Sequence, residues 1–298
     1  MLDLERLRAL HAVSVHGSVR AAAEALHVTT SAVSQQLAKL ERETGQQLLE
    51  RNGRGIKLTD AAELLVGHAG RILSMVEAAK ADLEAHRGAV VGEVSVAAFP
   101  TAIRGLFPGA LARLRAEHPE LRVRVREEDP AQSVPLVVRG DIDLAIVQEW
   151  DNDPFAIPEG LARGALGDDA ADVALPADHP LAGRDQVKLI ELAEDPWISS
   201  TPESICFEWL THTLRAEGFE PRISHMAYEF ATQLALVDAG LGAAILPRLG
   251  RRDVPGGVRL VPLDPPLERR LYAVWRVEAA RRPAIRAVVA ALRAQPGS

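Results

Sequence analysis

The sequence predicts a multidomain α+β chain: a small helical domain closed by a hairpin, one long helix, and a larger α/β domain of two lobes. Three observations carry this reading. Residues 1–58 hold short apolar repeats at helical spacing, punctuated by Gly17, Gly45 and Asn52-Gly53. From Thr59 to about His86 there is no proline, and the apolar positions keep a heptad rhythm. Beyond the linker RGAVVG, strand-like and helix-like segments alternate to the end. With 298 residues, 47% of them hydrophobic and 25% charged, the chain can bury more than one core and is neither disordered nor fibrous.

In the first region Leu4, Leu7, Leu10 and Val13 form a helical stripe that His16-Gly17 ends, and Ser18 is a good N-cap for VRAAAEAL. His27-Val28 makes a tight turn. Thr29 or Thr30 then caps TSAVSQQLAKLERET, which Gly45 terminates because glycine enters left-handed backbone without strain. Asn52-Gly53 and Gly55, set between LLER and IKL, supply the turn chemistry of a short hairpin. In the long helix Leu58, Ala62, Leu65, Ala69, Ile72, Val76, Ala79 and Leu83 follow one another in steps of 4 and 3, the seam of a coiled coil. Such a helix is on the order of 40 Å long. The seam either packs on the protein's own body or pairs with a second chain. Its unbroken run favours a homodimer joined through Leu65, Ala69, Ile72, Val76 and Leu83.

In the third region EVSVAAF, AIRGLFPGALARLRAEH, LRVRVRE, SVPLVVRG and IDLAIV alternate as in a parallel sheet covered by helices. A second set runs from ADVALP through a helix near KLIELA, then PWIS, ESICFEWLTHTLRAEG, RISHM and EFATQLALVDAG to GAAILP. ERRLYAVWRV and a last helix from about Arg282 to Arg293 return the C-terminus to the first set. The expected boundaries are 1–58 for the helical domain, 59–87 for the linker helix and 92–298 for the two lobes. Lobe I takes about 92–163 plus 268–298, and lobe II about 167–262. Crossovers near Arg163 to Gly167 and Pro262 to Glu268 then enclose a cleft.

A net charge of -7 opposes nucleic-acid binding on average. The average misleads: residues 1–60 hold eight Lys or Arg against seven acids, a balance of +1 that leaves -8 for the rest. No apolar run reaches the length of a membrane span and MLDLERLRAL lacks a long apolar core, so a cytoplasmic protein without a membrane partner is expected. The single cysteine, Cys206, permits no internal disulfide and reads as packed core beside Phe207 and Trp209 rather than as a redox sensor. Nine histidines lack ligand spacing, and Walker, HExxH and GxSxG sequences are absent. Neither catalytic residues nor a metal or cofactor is therefore expected. Gly240-Leu241-Gly242 follows a helix and precedes a strand, the reverse of the nucleotide-binding order, so it reads as a helix C-cap. Asp141 and Asp143, at a strand start, read as structural or solvated.

On the third helix Val33, Leu37 and Leu40 form one stripe, while Ser31, Ser34, Gln35, Ala38 and Arg42 fall on the other side. Short polar side chains let a helix approach base edges, Gln pairs with adenine through two hydrogen bonds, and Arg42 lies further along for phosphate. Taken alone, such a face is also an ordinary solvated one. Preceded by a capped helix and a turn, it completes a helix-turn-helix, and the basic hairpin with Arg51, Arg54 and Lys57 is its wing. The stretch GSVRAAAEALHVTTSAVSQQLAKLERETGQQLLERNGRGIKLTDAAELL resembles the LysR-type transcriptional regulators. The likeness lies in the AVSQQL core, Leu40-Glu41, the Gly45 stop, the LER triplet and the LT that opens the long helix. It continues through HPE near His118, DIDLAIV and AGLGAAILP. The resemblance implies double-stranded DNA as a partner, with base contacts from Thr30, Ser31, Ser34 and Gln35 and phosphate or minor-groove contacts from Arg51 and Arg54. It also implies a homodimer that pairs into a homotetramer, and RNA polymerase as a further partner. Thr30 stands where the family commonly has Gln and Ser31 where Pro or Ser is usual, so operator preference does not transfer; Leu49 replaces a frequent Phe, which bears on wing packing rather than on DNA chemistry.

The same resemblance implies that the last region folds like a periplasmic binding protein with a small-molecule effector between its lobes. Pro100 and Thr101 lie where EVSVAAF meets its helix, and Ser199, Ser200 and Thr201 where PWIS meets the next. Exposed N–H groups and a positive dipole end suit an anion at both places. In the competing reading these residues are N-caps and nothing more. Gln148, which follows IDLAIV, either lines the cleft or ends a solvated strand. Trp150, Phe207 and Tyr228 are candidates for an apolar wall. A rival of another class is a two-lobed solute-binding or enzymatic domain with an N-terminal helical dimeriser, against which the missing catalytic motifs count.

Overall fold

The computed structural model describes residues 2–26, 28–52, 55–87, 90–202, 204–251 and 253–293. It divides into two units, Met1–Ala89 and Val90–Ser298. The first holds α1 (Leu4–His16), α2 (Val19–Ala25), α3 (Thr30–Thr44), the hairpin β1 (Leu49–Asn52) and β2 (Gly55–Leu58), and α4 (Asp60–Arg87). Side chains close the helix starts: Ser18 accepts from Ala21 N at 3.1 Å, Thr29 from Ala32 N at 3.2 Å and Thr59 from Ala62 N at 3.2 Å. Of the two threonines considered for α3, Thr29 is the cap. Gly17 and Gly45 take left-handed φ values of 69° and 65°, which is why glycine ends α1 and α3. The turns read at His27 and Gly53, and the wing residue Arg54, lie outside the described residues.

The N-terminal core corrects the reading of the long helix. Ala62 and Ala69 are fully buried in a cluster with Leu7, Leu10, Val13, Val33, Leu37 and Leu40, and Leu65 and Ile72 pack against it. A three-helix unit of this size has too little apolar area to be stable alone, so the first half of α4 completes its core. Small residues permit the approach: a Cβ added at Gly70 would sit 3.7 Å from the His11 ring of α1. Of the seam up to Ile72, Ala69 is therefore fully covered within the chain, and Leu65 and Ile72 are partly covered. Beyond it, Val76 is half-buried and Leu83 is 66% exposed, while Leu64 and Met75 present a second uncovered apolar face.

The second unit is built on one six-stranded sheet of order β4-β3-β5-β10-β6-β9, from β3 (Gly92–Ala98), β4 (Leu121–Glu127), β5 (Leu144–Trp150), β6 (Leu161–Pro176), β9 (Ala244–Pro247) and β10 (Val258–Arg276). A parallel pair, β7 (Pro196–Ser199) and β8 (Arg222–Met226), joins β9 through the bridge Trp197↔Ala243. The helices are α5 (Pro100–Glu117), α6 (Pro130–Arg139), α7 (Ile205–Ala216), α8 (Phe230–Asp238) and α9 (Pro283–Arg293); the KLIELA segment is a 3-10 turn, Leu189–Leu192.

Strands β3, β4 and β5 run parallel as expected, but β10 is antiparallel to both β5 and β6, and β6 to β9. The antiparallel pairs, on which the sequence reading was silent, have a topological reason. The chain leaves the first lobe once and returns once, so the two crossing segments run in opposite directions and pair with each other. They are long strands with register shifts at Pro262/Leu267 and Leu271/Tyr272. Alternation sorts the cores: Val94, Val96, Ala98 and Ile146 face α5 and α9, while Ala97, Ala145 and Val147 face α6. In the other lobe Val173, Leu175, Trp197 and Ile245 pack with α7, and Ala174, Ile198 and Leu246 with α8. Each fully buried Leu, Ile or Val contributes about 1.5–3 kcal/mol relative to leaving it exposed.

Candidate functional site

Two surfaces carry the residues singled out in the sequence. On α3, Val33, Leu37 and Leu40 point into the core, and Thr30, Ser31, Ser34, Gln35 and Arg42 lie on its outer side. Ser34 Oγ donates to Thr30 O at 2.9 Å and the Ser31 and Thr29 hydroxyls share a hydrogen bond at 2.9 Å, so the first turn is a short, ordered polar surface. Arg42 Nε rests on Ala38 O at 3.3 Å. Arg51 belongs to β1, opposite Ile56 of β2. The wing is fastened to α3 by Glu41, to which the sequence reading gave no role: its Oε1 accepts from Leu48 N at 2.8 Å and Leu49 N at 3.3 Å.

In the second unit Pro100, Thr101, Gln148 and Ser200 line one cavity, together with Phe99, Arg104, Asp129, Ser204, Cys206, Tyr228, Glu229, Phe230 and Arg269. Its free volume is about 40 Å³, space for roughly three waters. Ser199 lies on an adjoining chamber with Ser200. Thr201 lies on a more open groove with Glu127, Glu128, Asp129 and Gln132. Four helix starts meet here: Pro100 opens α5, Asp129 is the N-cap of α6, Ser204 the N-cap of α7 and Glu229 the N-cap of α8. Only Ser204 closes its helix with a side-chain hydrogen bond, to Phe207 N at 3.2 Å. Phe207, a candidate for the apolar wall, is not among the residues lining these cavities, whereas Trp150 and Tyr228 are.

The centre of the cavity wall is Arg269, 1% exposed, which sequence reasoning missed. Its Nε and Nη2 donate to Asp169 Oδ2 at 2.9 and 2.6 Å, Nη2 donates to Thr101 Oγ1 at 3.0 Å, and Nη1 donates to Gln148 Oε1. The guanidinium also lies 5.4 Å from the ring centroids of Phe99 and of Trp150. Gln148 is therefore a buried partner of an arginine, not a solvated strand end. Burial pulls Arg269 below its usual value while the Asp169 carboxylate opposes the shift, and an arginine so paired stays charged. The pairing follows from register: Arg269 of β10 stands opposite Asp169 of β6 at the crossing. An Arg in a strand and an Asp a hundred residues earlier carry no spacing signal, so only the antiparallel pairing of the two crossings exposes them.

Cys206 lines the cavity rather than the core, which corrects the packed-core reading. Burial pushes its thiol up to about 11, and the Arg269 charge offsets only part of this. The thiol is thus protonated near neutral pH. Burial likewise raises the Asp129 carboxyl, against the hydrogen bond from Tyr228. Burial and then the charge of Asp129 push the Tyr228 phenol up to about 12. Asp143 has a structural role: Oδ2 accepts from Ser95 N and Oγ, each at 2.8 Å, and Oδ1 pairs with Arg282 at 2.6 Å. Gly240, with φ 74°, comes just after Ala239, the C-cap of α8, where a left-handed glycine ends the helix, and a Cβ on Gly242 would lie 2.4 Å from Pro196 O.

Two family models match the chain. The bacterial regulatory helix-turn-helix protein, lysR family, covers residues 4–63, and the LysR substrate binding domain covers residues 87–297. The chain belongs to the LysR family. It is 28% identical over 290 residues to the uncharacterized HTH-type transcriptional regulator YnfL of Escherichia coli (strain K12), covering 96% of each chain. It is 31% identical over 279 residues to the small neutral protease regulatory protein of Streptomyces lividans, covering 93% of this chain and 79% of the relative. In fold it is similar to a cysteine-to-aspartate variant of full-length OxyR from Pseudomonas aeruginosa, with a TM-score of 0.74, 21% identity and 99% of both chains covered. The protein is thus a LysR-type transcriptional regulator with a helix-turn-helix domain and an effector-binding domain. Among the described residues no helix is long and apolar enough to cross a membrane.

Proposed function

We propose that this LysR-type regulator reads a partly dyad-symmetric operator as a homodimer and changes its grip on DNA when a small anionic effector enters the cleft. The exposed polar turn at Thr30, Ser31, Ser34 and Gln35 supports base reading, since short side chains bring the helix close to the major groove. Arg42, Arg51 and Arg54 would hold phosphate. The dimer forms through the part of α4 that its own core leaves uncovered, at Val76, Leu83 and Met75, and two dimers associate into a tetramer that engages RNA polymerase. The protein acts in the cytoplasm by binding, without catalysis.

The convergence of four helix starts on one cavity carries the anionic reading. Each positive dipole end favours an anion by roughly 0.3–1 kcal/mol, more when partly buried. The Thr101 hydroxyl accepts from Arg269 and keeps its own proton to donate. Asp129 and Glu229 stand on the same wall and work against an anion, but burial favours the protonated form of Asp129. Fluorescence anisotropy with DNA upstream of the protein's own gene tests the whole reading. Binding there should exceed binding to random DNA at least ~100-fold, fall with salt, and shift when small carboxylates are added. A response to cationic ligands instead would refute the anionic effector, and equal binding to both DNAs would refute operator reading.

A further inference from the structure

The main cavity adjoins two larger grooves, and the walls it shares with them are built differently. Thr101, Arg104 and Phe230 line both the cavity and a groove of about 210 Å³ that reaches Leu249 and Gly250. Backbone closes this wall. A Cβ on Gly250 would lie 2.5 Å from Thr101 O and one on Gly105 would run into the Leu249 side chain, so the turn after β9 is seated directly on α5. Arg104 Nε donates to Gly250 O at 3.2 Å and Leu249 N to Asp169 Oδ1 at 2.9 Å, which fastens the turn from both sides. On the opposite side Asp129, Ser204 and Tyr228 line both the cavity and the groove of Thr201, where the free volume is about 270 Å³. Side chains close this wall. Asp129 caps α6 and Tyr228 comes just before the N-cap of α8, and the two helices pack into separate cores. They are bridged by a hydrogen bond from the Tyr228 phenol to the Asp129 carboxyl. Behind the bridge Thr101, Gln148, Ser204 and Arg269 are buried, whereas Tyr228 itself is 45% exposed.

We propose that Tyr228 is the gate of this cavity: its side chain closes the mouth toward the Thr201 groove by bridging to Asp129, and solutes reach the interior when the ring swings outward. The two walls differ in what opening them costs. Swinging the ring breaks one hydrogen bond at a solvated position, where water takes the place of the lost partner, and exposed side chains change rotamer on the ps–ns scale. Opening the other wall means separating packed backbone. The bridge also ties the core of α6 to the core of α8, so the halves of the effector-binding unit are joined while the gate is shut. The closed cavity, at about 40 Å³, holds roughly three waters. A larger ligand must therefore displace Tyr228 and hold it displaced, which links occupancy of the cavity to the bridge between the two cores. The proposal rests on the effector reading only in naming what passes the gate.

Cys206 is the chain's single cysteine and lines the cavity, so its alkylation by iodoacetamide measures passage without any effector. The full chain is labelled as wild type, Tyr228→Phe, Tyr228→Ala and Arg104→Ala over about pH 7 to 10, and the product is followed by mass spectrometry. Losing the bridge should speed labelling at least ~5-fold in Tyr228→Phe and by no less in Tyr228→Ala, while Arg104→Ala, on the backbone wall, stays within about 2-fold of wild type. The rise should be the same at every pH, because it reports access. A mere displacement of the pH profile would report thiol ionisation instead and would overturn the gate. Dilute urea separates passage from unfolding: labelling through the gate changes less than about 2-fold in about 1 M urea, whereas labelling through global unfolding rises about 5-fold or more. A urea-driven rise, a wild-type rate in both Tyr228 variants, or an equal rise in Arg104→Ala overturns the proposal. No effector enters the assay, so a DNA response that ignores carboxylates leaves the gate standing, and a failed gate leaves the anionic reading standing.

Discussion

Replacing Asp169 with Asn isolates the charge of the buried pair at the crossing of the lobes. The substitution keeps a side-chain oxygen for Leu249 N, which now donates to Asp169 Oδ1 at 2.9 Å, and keeps the shape of the site. What it removes is the charge facing Arg269, whose side chain is 2% exposed against 5% for Asp169. An isolated buried guanidinium is costly, and breaking such a pair from one side typically destabilises by about 3–5 kcal/mol, against less than about 1 kcal/mol for an exposed pair. All four tryptophans, at 150, 197, 209 and 275, lie in the effector-binding unit, so urea unfolding followed by their fluorescence reports this unit alone. The variant should lose several kcal/mol of that transition. Replacing both partners, Asp169→Leu with Arg269→Met, should recover part of the loss, because it leaves no unpaired charge, although the Leu249 N–H loses its acceptor and Gln148 Oε1 and Thr101 Oγ1 lose their donor. A single-variant loss below about 1 kcal/mol, or a double variant less stable than the single, would refute the assignment of Arg269 as a desolvated, pair-dependent cation.

Four further outcomes are expected. Gln35→Ala should cost about 1–3 kcal/mol at the cognate operator and relax one base-pair position, whereas Arg42→Ala should weaken all DNA alike and shallow the salt slope, both read by anisotropy titrations. Glu41→Ala frees the Leu48 and Leu49 N–H groups and should lower the stability of the DNA-binding domain by about 1–3 kcal/mol, with Glu41→Gln losing less; equal losses would show that the acceptor is not what matters. Met75→Asp with Leu83→Asp should dissociate the dimer in sedimentation without unfolding the chain, since both side chains are exposed in the single chain; an intact oligomer would place the interface elsewhere. Cys206, held at about 11, is roughly one part in a thousand thiolate at pH 8 against about a quarter for a free thiol, so iodoacetamide should label the folded protein over ~100-fold more slowly than the unfolded one. The unfolded thiol ionises first as pH rises, so this group's contribution to stability is complete below the free thiol's range of about pH 8.5 and is lost on the way to about pH 11.

Much of the DNA-binding half was legible in the residues because its signals are local. Ser18, Thr29 and Thr59 cap helices three residues ahead, Gly17 and Gly45 end them, and Val33, Leu37 and Leu40 mark the inner face of α3, so the polar face of the recognition helix follows from one turn of geometry. In the other half the helix start at Pro100 and Thr101 and the strand end at Ser199 were legible for the same reason, but α7 begins later than the sequence suggested, at Ile205 with Ser204 as its cap, so Ser200 and Thr201 lie in the connection before it. The heptad rhythm of α4 was equally local but did not say what covers it, because a core helix and a coiled coil both bury one stripe; the small residues at Ala62, Ala69 and Gly70 let α1 take the first half of the seam. The tertiary structure alone decided the centre of the cleft. Arg269, Asp169 and Gln148 come from three strands far apart in the chain, and they meet because the two lobe crossings pair antiparallel in one register, a relation that no spacing along the sequence encodes.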